Sequence, residues 1–565
     1  MTEPWGYFVA SSLWVAAGLR RTRVFHTALR RPRAVQEARL LYLLKHNERC
    51  EYGRRYRFDR LRTVRDYQNT VPVVTYDCLQ DEIATIKRGR QGILTDEPVV
   101  WMEKTTGSTG ASKYIPYTSS LKREFQAALA PWISDLYLRR RRMLLGGSYW
   151  SISPLAAEGE RTEGGLSVGC TDEREYFSAL ERRLLEQLIL TPRDLARIPD
   201  VAASRYVTLR FLLQTPHLSF ISVWNPSFLT LLIHFLRENA EQLIADIRGG
   251  TLTPLVSLPS QLHATLSRCL SPRPKRARAL EEILRRHGKL PPSEVWPNLA
   301  LISCWASANA RSFLPEVQQL FPGVEIQAKG LLATEGVISI PLFGHKGGAL
   351  ALTSHFFEFI PANSPCALPL LADELEAGRT YKVLLTTGGG LYRYLLGDLI
   401  QVVGKIHHTP LIEFIGKEDF ISDLCGEKLH AARVETILAD AFREFQLAPR
   451  FAMMAPEWGQ PPRYVLFIDA PDLSANSLAK LVGRVEQDLS EGHHYSYCRR
   501  LGQLAPLRTI RVRDGARRYL ERCRVLGQRL GNVKPTGLHC QTGWLDWFEP
   551  AAEDESMDCN EPLRL

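Results

Sequence analysis

The stretch Thr386-Thr387-Gly388-Gly389-Gly390-Leu391-Tyr392-Arg393-Tyr394-Leu395-Leu396-Gly397-Asp398 decides how the rest of the chain is read. It continues the β-branched and aliphatic run Tyr381 to Thr387, so it opens where a strand should end. Three consecutive glycines predict a sharp turn, because only glycine reaches left-handed backbone without steric cost. The aromatic pair and Asp398 fit two readings. One is a tight hairpin; the other is a ligand loop whose carboxylate accepts hydrogen bonds from a pair of hydroxyls.

Outward from this stretch, short runs bounded by Gly, Pro or Asp predict further strands at Pro98 to Trp101, Leu299 to Ser303 and Val324 to Ile326. Between them, 3.6-residue periodicity predicts helices at Ala34 to His46, Leu180 to Leu190, Ser227 to Ile247, Ala279 to His287 and Ser477 to Asp488. Such alternation predicts an α/β fold with a largely buried sheet. No repeat of 20 to 50 residues and no low-complexity linker divides the chain, so domain boundaries have to come from motifs.

The chain has 565 residues with 71 Lys plus Arg against 61 Asp plus Glu, a net charge of +10. At roughly 100 to 200 residues per domain this is a multidomain length, and 45% hydrophobic with 23% charged residues excludes intrinsic disorder. Eleven cysteines without a C-x-x-C pair fit neither a disulfide framework nor a zinc ribbon and predict a reducing, cytoplasmic setting. Basic clusters at Arg20 to Arg23, Arg30 to Arg33, Arg139 to Arg142 and Arg273 to Arg278 have no nucleic-acid reading element beside them, so no nucleic-acid partner is expected. The uncharged Trp5 to Leu19 is shorter than the roughly 20 residues that span a bilayer and predicts a helix docked on the protein's own core, without stable membrane insertion.

Three other stretches carry chemistry. Thr105-Thr106-Gly107-Ser108-Thr109-Gly110-Ala111-Ser112-Lys113 combines glycines, hydroxyls and a lysine suited to phosphate oxygens, although it lacks the Walker A spacing and also reads as an ordinary surface loop. Thr334-Glu335-Gly336 offers a hydroxyl and a carboxylate that suit Mg²⁺, or an exposed turn. The last is distributed over Gly416-Lys417-Glu418-Asp419, Gly426-Glu427-Lys428-Leu429 and Asn532-Val533-Lys534-Pro535-Thr536-Gly537.

In this order the stretches resemble the adenylate-forming superfamily, and most closely the Gretchen Hagen three (auxin-responsive promoter) family of acyl acid amido synthetases. Gly390 to Asp398 is similar to that family's G-L-Y-R-Y-R-V-G-D signature, and residues 105–110 to its S-S-G-T-S-G phosphate motif. The resemblance covers roughly residues 45 to 540 and implies a large N-terminal adenylating domain of mixed sheets with a β-barrel element and flanking helices. It implies a small mobile α+β domain after it, with the division at 1–415 and 416–565.

The resemblance further implies that Thr105, Thr106, Ser108, Thr109 and Gly110 cradle the phosphates of ATP with Lys113 adding charge. Thr334 and Glu335 would stand at Mg²⁺, with Glu335 as ligand, while Asp398 holds the ribose and Tyr392 lies near the nucleotide. Lys417 stands where relatives carry an arginine, so a bidentate fork becomes a point charge. Asp419 would mark the hinge, Lys534 the mobile catalytic lysine and Lys428 a second lysine of the C-terminal domain. The implied partners are a carboxylic acid and an amine or amino acid, and the implied state is a monomer. An acyl-CoA ligase shares the first half-reaction, and a non-catalytic nucleotide-binding protein shares the fold. Gly165-Leu166-Ser167-Val168-Gly169 matches the nucleophile elbow of hydrolases, but a charged, glycine-rich segment precedes it instead of a strand. His355 reads as an acyl-pocket residue or as a satisfied core histidine.

Overall fold

The computed structural model describes all residues except 1–3, 107–111, 152–159, 170–176, 255, 308–309, 312–313, 365–367, 418–420, 423, 426, 428, 472, 501, 527, 529–532, 534 and 549–565. The chain forms two compact units, Met1–Phe414 and Ile415–Leu565.

Two sheets organise the first unit. Gly147–Trp150, Leu218–Ser222, Leu301–Cys304 and Glu325–Ala328 form a four-stranded parallel sheet in chain order. Parallel strands need long crossovers, and the crossovers here include the helices Val201–Leu213, Pro226–Glu238, Ala240–Gly249 and Pro274–His287. The predicted single helix from Ser227 to Ile247 is thus two, broken at Asn239, whose side-chain amide donates to the Phe235 carbonyl at 2.9 Å. The second sheet has six strands ordered Ser339–Pro341, Gly348–Leu350, Thr409–Lys417, Tyr394–Ile406, Thr380–Thr386 and Phe356–Pro361. Phe356, Phe357, Phe359, Val383, Leu385 and Ile400 are fully buried in it.

In the second unit, period-two alternation places the residues. Phe451–Glu457 and Arg463–Asp469 pair antiparallel, and Arg508–Arg511 joins in parallel. Met454, Tyr464, Leu466 and Ile468 face one cluster with residues of the helices Ala431–Glu444 and Ala475–Ser490. Met453, Ala455, Val465 and Phe467 face the other, with Tyr519, Trp544 and Phe548.

His539 closes this second cluster edge-on to Trp544, with ring centroids 4.8 Å apart. Its Nδ1 accepts from the Gln541 amide at 3.1 Å, and burial pushes its pKa down to about 4. In the unfolded chain an imidazole protonates near 6.5, so the unfolded state binds the extra proton between the two values. The stability from the neutral ring is complete above about pH 6.5 and is lost as pH falls toward 4, on the order of 3 kcal/mol in all. Unfolding of the second unit, followed from pH 7.5 to 4, should show this fall in wild type and a flatter profile in His539→Phe. An unchanged profile would mean the ring does not titrate this way.

Candidate active site

Thr105, Thr106, Ser112 and Lys113 of the hydroxyl-glycine stretch lie on two antiparallel strands. Trp101–Thr106 pairs with Ser112–Tyr117 in a register that sets Thr105 opposite Lys113 and Thr106 opposite Ser112. The predicted strand at Pro98 to Trp101 therefore starts only at Trp101. Ser108, Thr109 and Gly110 lie outside the described residues. The half-buried Lys113 sets its ammonium 5.7 Å from the Tyr76 ring centroid, and the Tyr76 hydroxyl accepts from the Tyr114 amide at 2.8 Å.

Thr334 and Glu335 form the turn between the two-residue strands Leu332–Ala333 and Gly336–Val337. The hairpin holds this turn, because the Tyr117 hydroxyl donates to the Thr334 carbonyl at 2.6 Å. The glycine-rich segment meets it from the other side, where the Tyr394 hydroxyl donates to Glu335 Oε1 at 3.5 Å. Burial raises the Tyr394 pKa and the Glu335 charge raises it further, so the phenol stays a donor at neutral pH. Glu335 is buried at 9% exposure, and its hard oxygen ligand type is the kind Mg²⁺ takes.

A buried network ties the loops together. Glu124 lies on the helix Ser119–Arg139, whose N-cap hydroxyl, from Thr118, also donates to the Gly388 carbonyl at 2.8 Å. The Glu124 carboxylate accepts from the Gly388 amide at 2.8 and 3.0 Å, pairs with Arg39, and receives His355 Nδ1 at 2.8 Å. His355 Nε2 accepts from the Val337 amide at 3.1 Å, which places the imidazole proton on Nδ1. A Cβ at Gly336 would lie 2.7 Å from His355 Nε2, so glycine is required there. His355 is therefore a fully buried, satisfied core histidine, and it spaces the Thr334-Glu335 turn from the triple-glycine loop.

The triple-glycine segment joins the antiparallel strands Thr380–Thr386 and Tyr394–Ile406, as the hairpin reading expects. Gly390 has φ +94° and its missing Cβ would sit 2.6 Å from Leu94 Cβ, so the loop needs its glycine. Tyr392 corrects the expectation of a nucleotide contact: it is 1% exposed, stacked on Tyr52 at 5.0 Å, and its hydroxyl donates to the Leu94 carbonyl at 2.9 Å. An enclosed ring with a committed hydroxyl has no surface left for a base. Beyond it, Lys382 and Leu384 oppose Leu399 and Leu395, so one residue between them, Val383, faces three on the other strand, Leu396, Gly397 and Asp398. This bulge, with Gly397 at φ +77°, aims the 3%-exposed Asp398.

Lys417 ends the strand Thr409–Lys417 at the start of the second unit, while Asp419, Lys428 and Lys534 lie outside the described residues. Between them, Glu427 caps its own loop, accepting from the amides of Leu424 at 2.7 Å and Cys425 at 2.8 Å, from the Cys425 thiol at 3.3 Å and from the Tyr464 hydroxyl. Cys498 adds a second sulfur, so Cys425, Glu427 and Cys498 bring their ligand atoms within 4.8 Å of one another. The four donors already on the carboxylate make it a loop cap. Ser167 of the G-x-S-x-G match is exposed on the two-residue strand Ser167–Val168, with a turn and no strand directly before it.

Sequence reading missed one group. At the carboxyl ends of the parallel strands, where open α/β sheets bind ligands, Lys329 donates to Ser222 Oγ at 2.7 Å. Its ammonium lies 4.5 Å from the Trp224 ring centroid and 5.6 Å from that of Trp132, and Trp224 is 5.8 Å from Trp305. The available signal was an aromatic or basic residue just past three strand ends, at Trp224, Trp305 and Lys329.

This fold and site define the architecture of the acyl acid amido synthetases. The structure matches one described as AtGH3.15 acyl acid amido synthetase in complex with 2,4-DB, with TM-score 0.78 at 19% identity over 93% of this chain and 94% of that one. In sequence the chain is 24% identical over 534 residues to indole-3-acetic acid-amido synthetase GH3.10 of Arabidopsis thaliana, covering 86% of this chain and 89% of the relative. It is 24% identical over 421 residues to jasmonoyl–L-amino acid synthetase JAR6 of Nicotiana attenuata, 70% of each. Family models match in succession: the GH3 family N-terminal domain at 21–326, the central domain at 348–417 and the C-terminal domain at 433–539. The chain belongs to the GH3 family.

Proposed function

We propose that this protein is an ATP-dependent acyl acid amido synthetase: it activates a carboxylic acid as its adenylate and transfers the acyl group to an amine, an amino acid by preference. The observation that carries the reading is the convergence of the 101–117 hairpin, the Thr334-Glu335 turn and the Gly388–Asp398 segment through Tyr117, Tyr394 and Glu124.

In the first step a carboxylate oxygen of the acid attacks the α-phosphorus of ATP, and the bond to pyrophosphate breaks. Thr105, Thr106, Ser108, Thr109 and Gly110 line the phosphates, Lys113 and Lys417 oppose their charge, and Asp398 holds the ribose hydroxyls. Glu335, beside Thr334, is the carboxylate that would hold Mg²⁺, which supplies further neutralisation of phosphate charge. The acid occupies the carboxyl end of the parallel sheet, its apolar body against Trp224 and Trp305 and its carboxylate toward Lys329. In the second step the amine attacks the activated carbonyl and AMP leaves. No protein nucleophile is required, because positioning and charge stabilisation suffice. Residues 1–415 form the adenylating domain, and 416–565 form the mobile domain, hinged at Asp419, that brings Lys534 and Lys428 to the site. The enzyme is a cytoplasmic monomer without nucleic-acid partners.

The test is carboxylate-dependent ATP–pyrophosphate exchange over a panel of aromatic and aliphatic acids, followed by mass spectrometry of products with mixed amino acids and with coenzyme A. Exchange with at least one acid and an N-acyl amino acid product are expected. A coenzyme A thioester as the product would make the protein an acyl-CoA ligase. Nucleotide binding without AMP formation from any acid would leave a binding protein that kept the fold.

A further inference from the structure

The helix Pro4–Ala28 is apolar on two faces, and the protein covers only one of them. Tyr7, Ala10, Trp14, Val15, Gly18 and Phe25 are buried, on the side that meets the helices Ser119–Arg139 and Ala179–Leu188. On the opposite side Trp5 is 70% exposed, Val9 51% and Leu13 53%, at the i, i+4, i+8 spacing of a single stripe. A helix apolar all round is normally buried all round, and a contiguous exposed apolar stripe marks an interaction surface.

The same stripe turns basic along its length. Ala16 and Ala17 lead to the exposed Arg20 and Arg23, and the exposed Arg30 and Arg31 follow the helix end. Two neighbouring arginines are used internally: Arg21 reaches Glu181 and Gln126, and Arg33 reaches Asp373 and Glu374. Among the described residues no carboxylate pairs with Arg20, Arg23, Arg30 or Arg31. No Asp or Glu occurs from Pro4 to Gln36, so the segment itself contributes only positive charge.

These two halves select the partner. A second copy packed on this face would set arginine against arginine in one orientation, and arginine against Trp5 and Leu13 in the other. A lipid surface with anionic headgroups satisfies both halves: apolar side chains enter the headgroup–acyl boundary to a depth of roughly 5–10 Å, tryptophan is favoured at that level, and guanidiniums meet lipid phosphates and carboxylates. Spanning is excluded by length, since Trp5 to Ala17 covers only about 20 Å at 1.5 Å per residue, and no helix among the described residues is long and apolar enough to cross a membrane. We propose that the exposed face of the Pro4–Ala28 helix, with Arg20, Arg23, Arg30 and Arg31, docks the protein peripherally on an anionic membrane surface. The inference does not depend on the catalytic reading.

Co-sedimentation of the full chain with vesicles tests it, using phosphatidylcholine alone and phosphatidylcholine with about 30% phosphatidylserine near 0.1 M salt, where charges are felt over about 10 Å. The full chain should sediment with the phosphatidylserine vesicles and not with the neutral ones, and should be released near 0.5 M salt. Replacing Arg20, Arg23, Arg30 and Arg31 by Gln, or Trp5, Val9 and Leu13 by Ser, should each weaken binding by about tenfold or more. All seven side chains are exposed, so thermal unfolding should stay as in wild type. The salt titration needs no variant, so it stands whether or not the variants fold. Equal partition onto the two kinds of vesicle, binding that survives 0.5 M salt, or a dimer in light scattering that the serine variant dissolves would each overturn the proposal.

Discussion

Glu358→Ala is expected to lower the unfolding free energy of the first unit by about 3–5 kcal/mol, the range for breaking a buried ion pair by removing one partner. Glu358 is 1% exposed and Arg393 4%. Their contact is a fork: Arg393 Nε and Nη2 donate to Glu358 Oε2 and Oε1, both at 3.1 Å. Arg393 Nη1 donates to the carbonyls of Gln68 at 2.8 Å and Val71 at 2.7 Å, and Gln68 Nε2 donates back to Glu358 Oε1 at 3.0 Å. One guanidinium thus joins the chain near residue 70, the strand Phe356–Pro361 and the start of the strand Tyr394–Ile406. Alanine at 358 strands a buried cation and a cavity together. The backbone adds to this, because Arg393 sits at φ +48°, a conformation rare outside glycine and asparagine that the surrounding contacts must hold. Urea unfolding followed by tryptophan fluorescence should show an earlier first transition. The double variant Glu358→Leu with Arg393→Met should recover only part of the loss, since the carbonyls of Gln68 and Val71 stay without their donor. A shift below about 1 kcal/mol for Glu358→Ala, the level of an exposed ion pair, would show that water reaches the site.

The same segment shows what sequence can and cannot disclose. Local rules placed the strand before it, the turn and the need for glycine, because these depend on nearest neighbours. They did not place Tyr392 and Arg393, whose partners are Leu94, Gln68 and Val71, some 300 residues earlier in the chain. An aromatic residue next to a glycine loop suits a base-stacking role and a core role equally until those distant partners are known. His355 was undecided for the same reason, since Glu124 stands 231 residues away. The Lys329 cage was invisible because each member lies after a different strand and only the parallel register brings the ends together. The break at Asn239 has the opposite cause, a local amide-to-carbonyl bond that competes with the helix. The arginine clusters split similarly: Arg140 pairs with Glu325 across 185 residues and Arg276 donates to the carbonyls of Leu213, Thr215 and Val295, so part of the basic surplus is internal structure.

Lys534→Ala is expected to reduce carboxylate-dependent ATP–pyrophosphate exchange by roughly 10²–10³-fold, the loss typical when one preorganised donor to transition-state charge is removed. The described residues on either side of Lys534 are anchored. Val533 is fully buried, and beyond Lys534 the Gly537 amide donates to Glu435 Oε1 at 3.4 Å while the Met454 amide donates to the Gly537 carbonyl at 2.8 Å. The His539 amide returns to the Met454 carbonyl at 2.7 Å. A Cβ at Gly537 would meet Glu435 Cγ at 2.7 Å, so the approach itself depends on glycine. With neighbours anchored in this way, alanine at 534 should leave the thermal stability of the second unit unchanged, and a loss of exchange then reports on charge and not on folding. ATP binding should stay within a few-fold of wild type, because the residues proposed to bind it, 105–113 and Asp398, remain. Lys534→Arg should recover only part of the rate, since a planar guanidinium does not reproduce a compact ammonium between carboxylate and α-phosphate. If Lys534→Ala retains full exchange with a stable second unit, Lys534 is a surface lysine, and the charge that accompanies attack on phosphorus must come from Lys113, Lys417 or Lys428 instead.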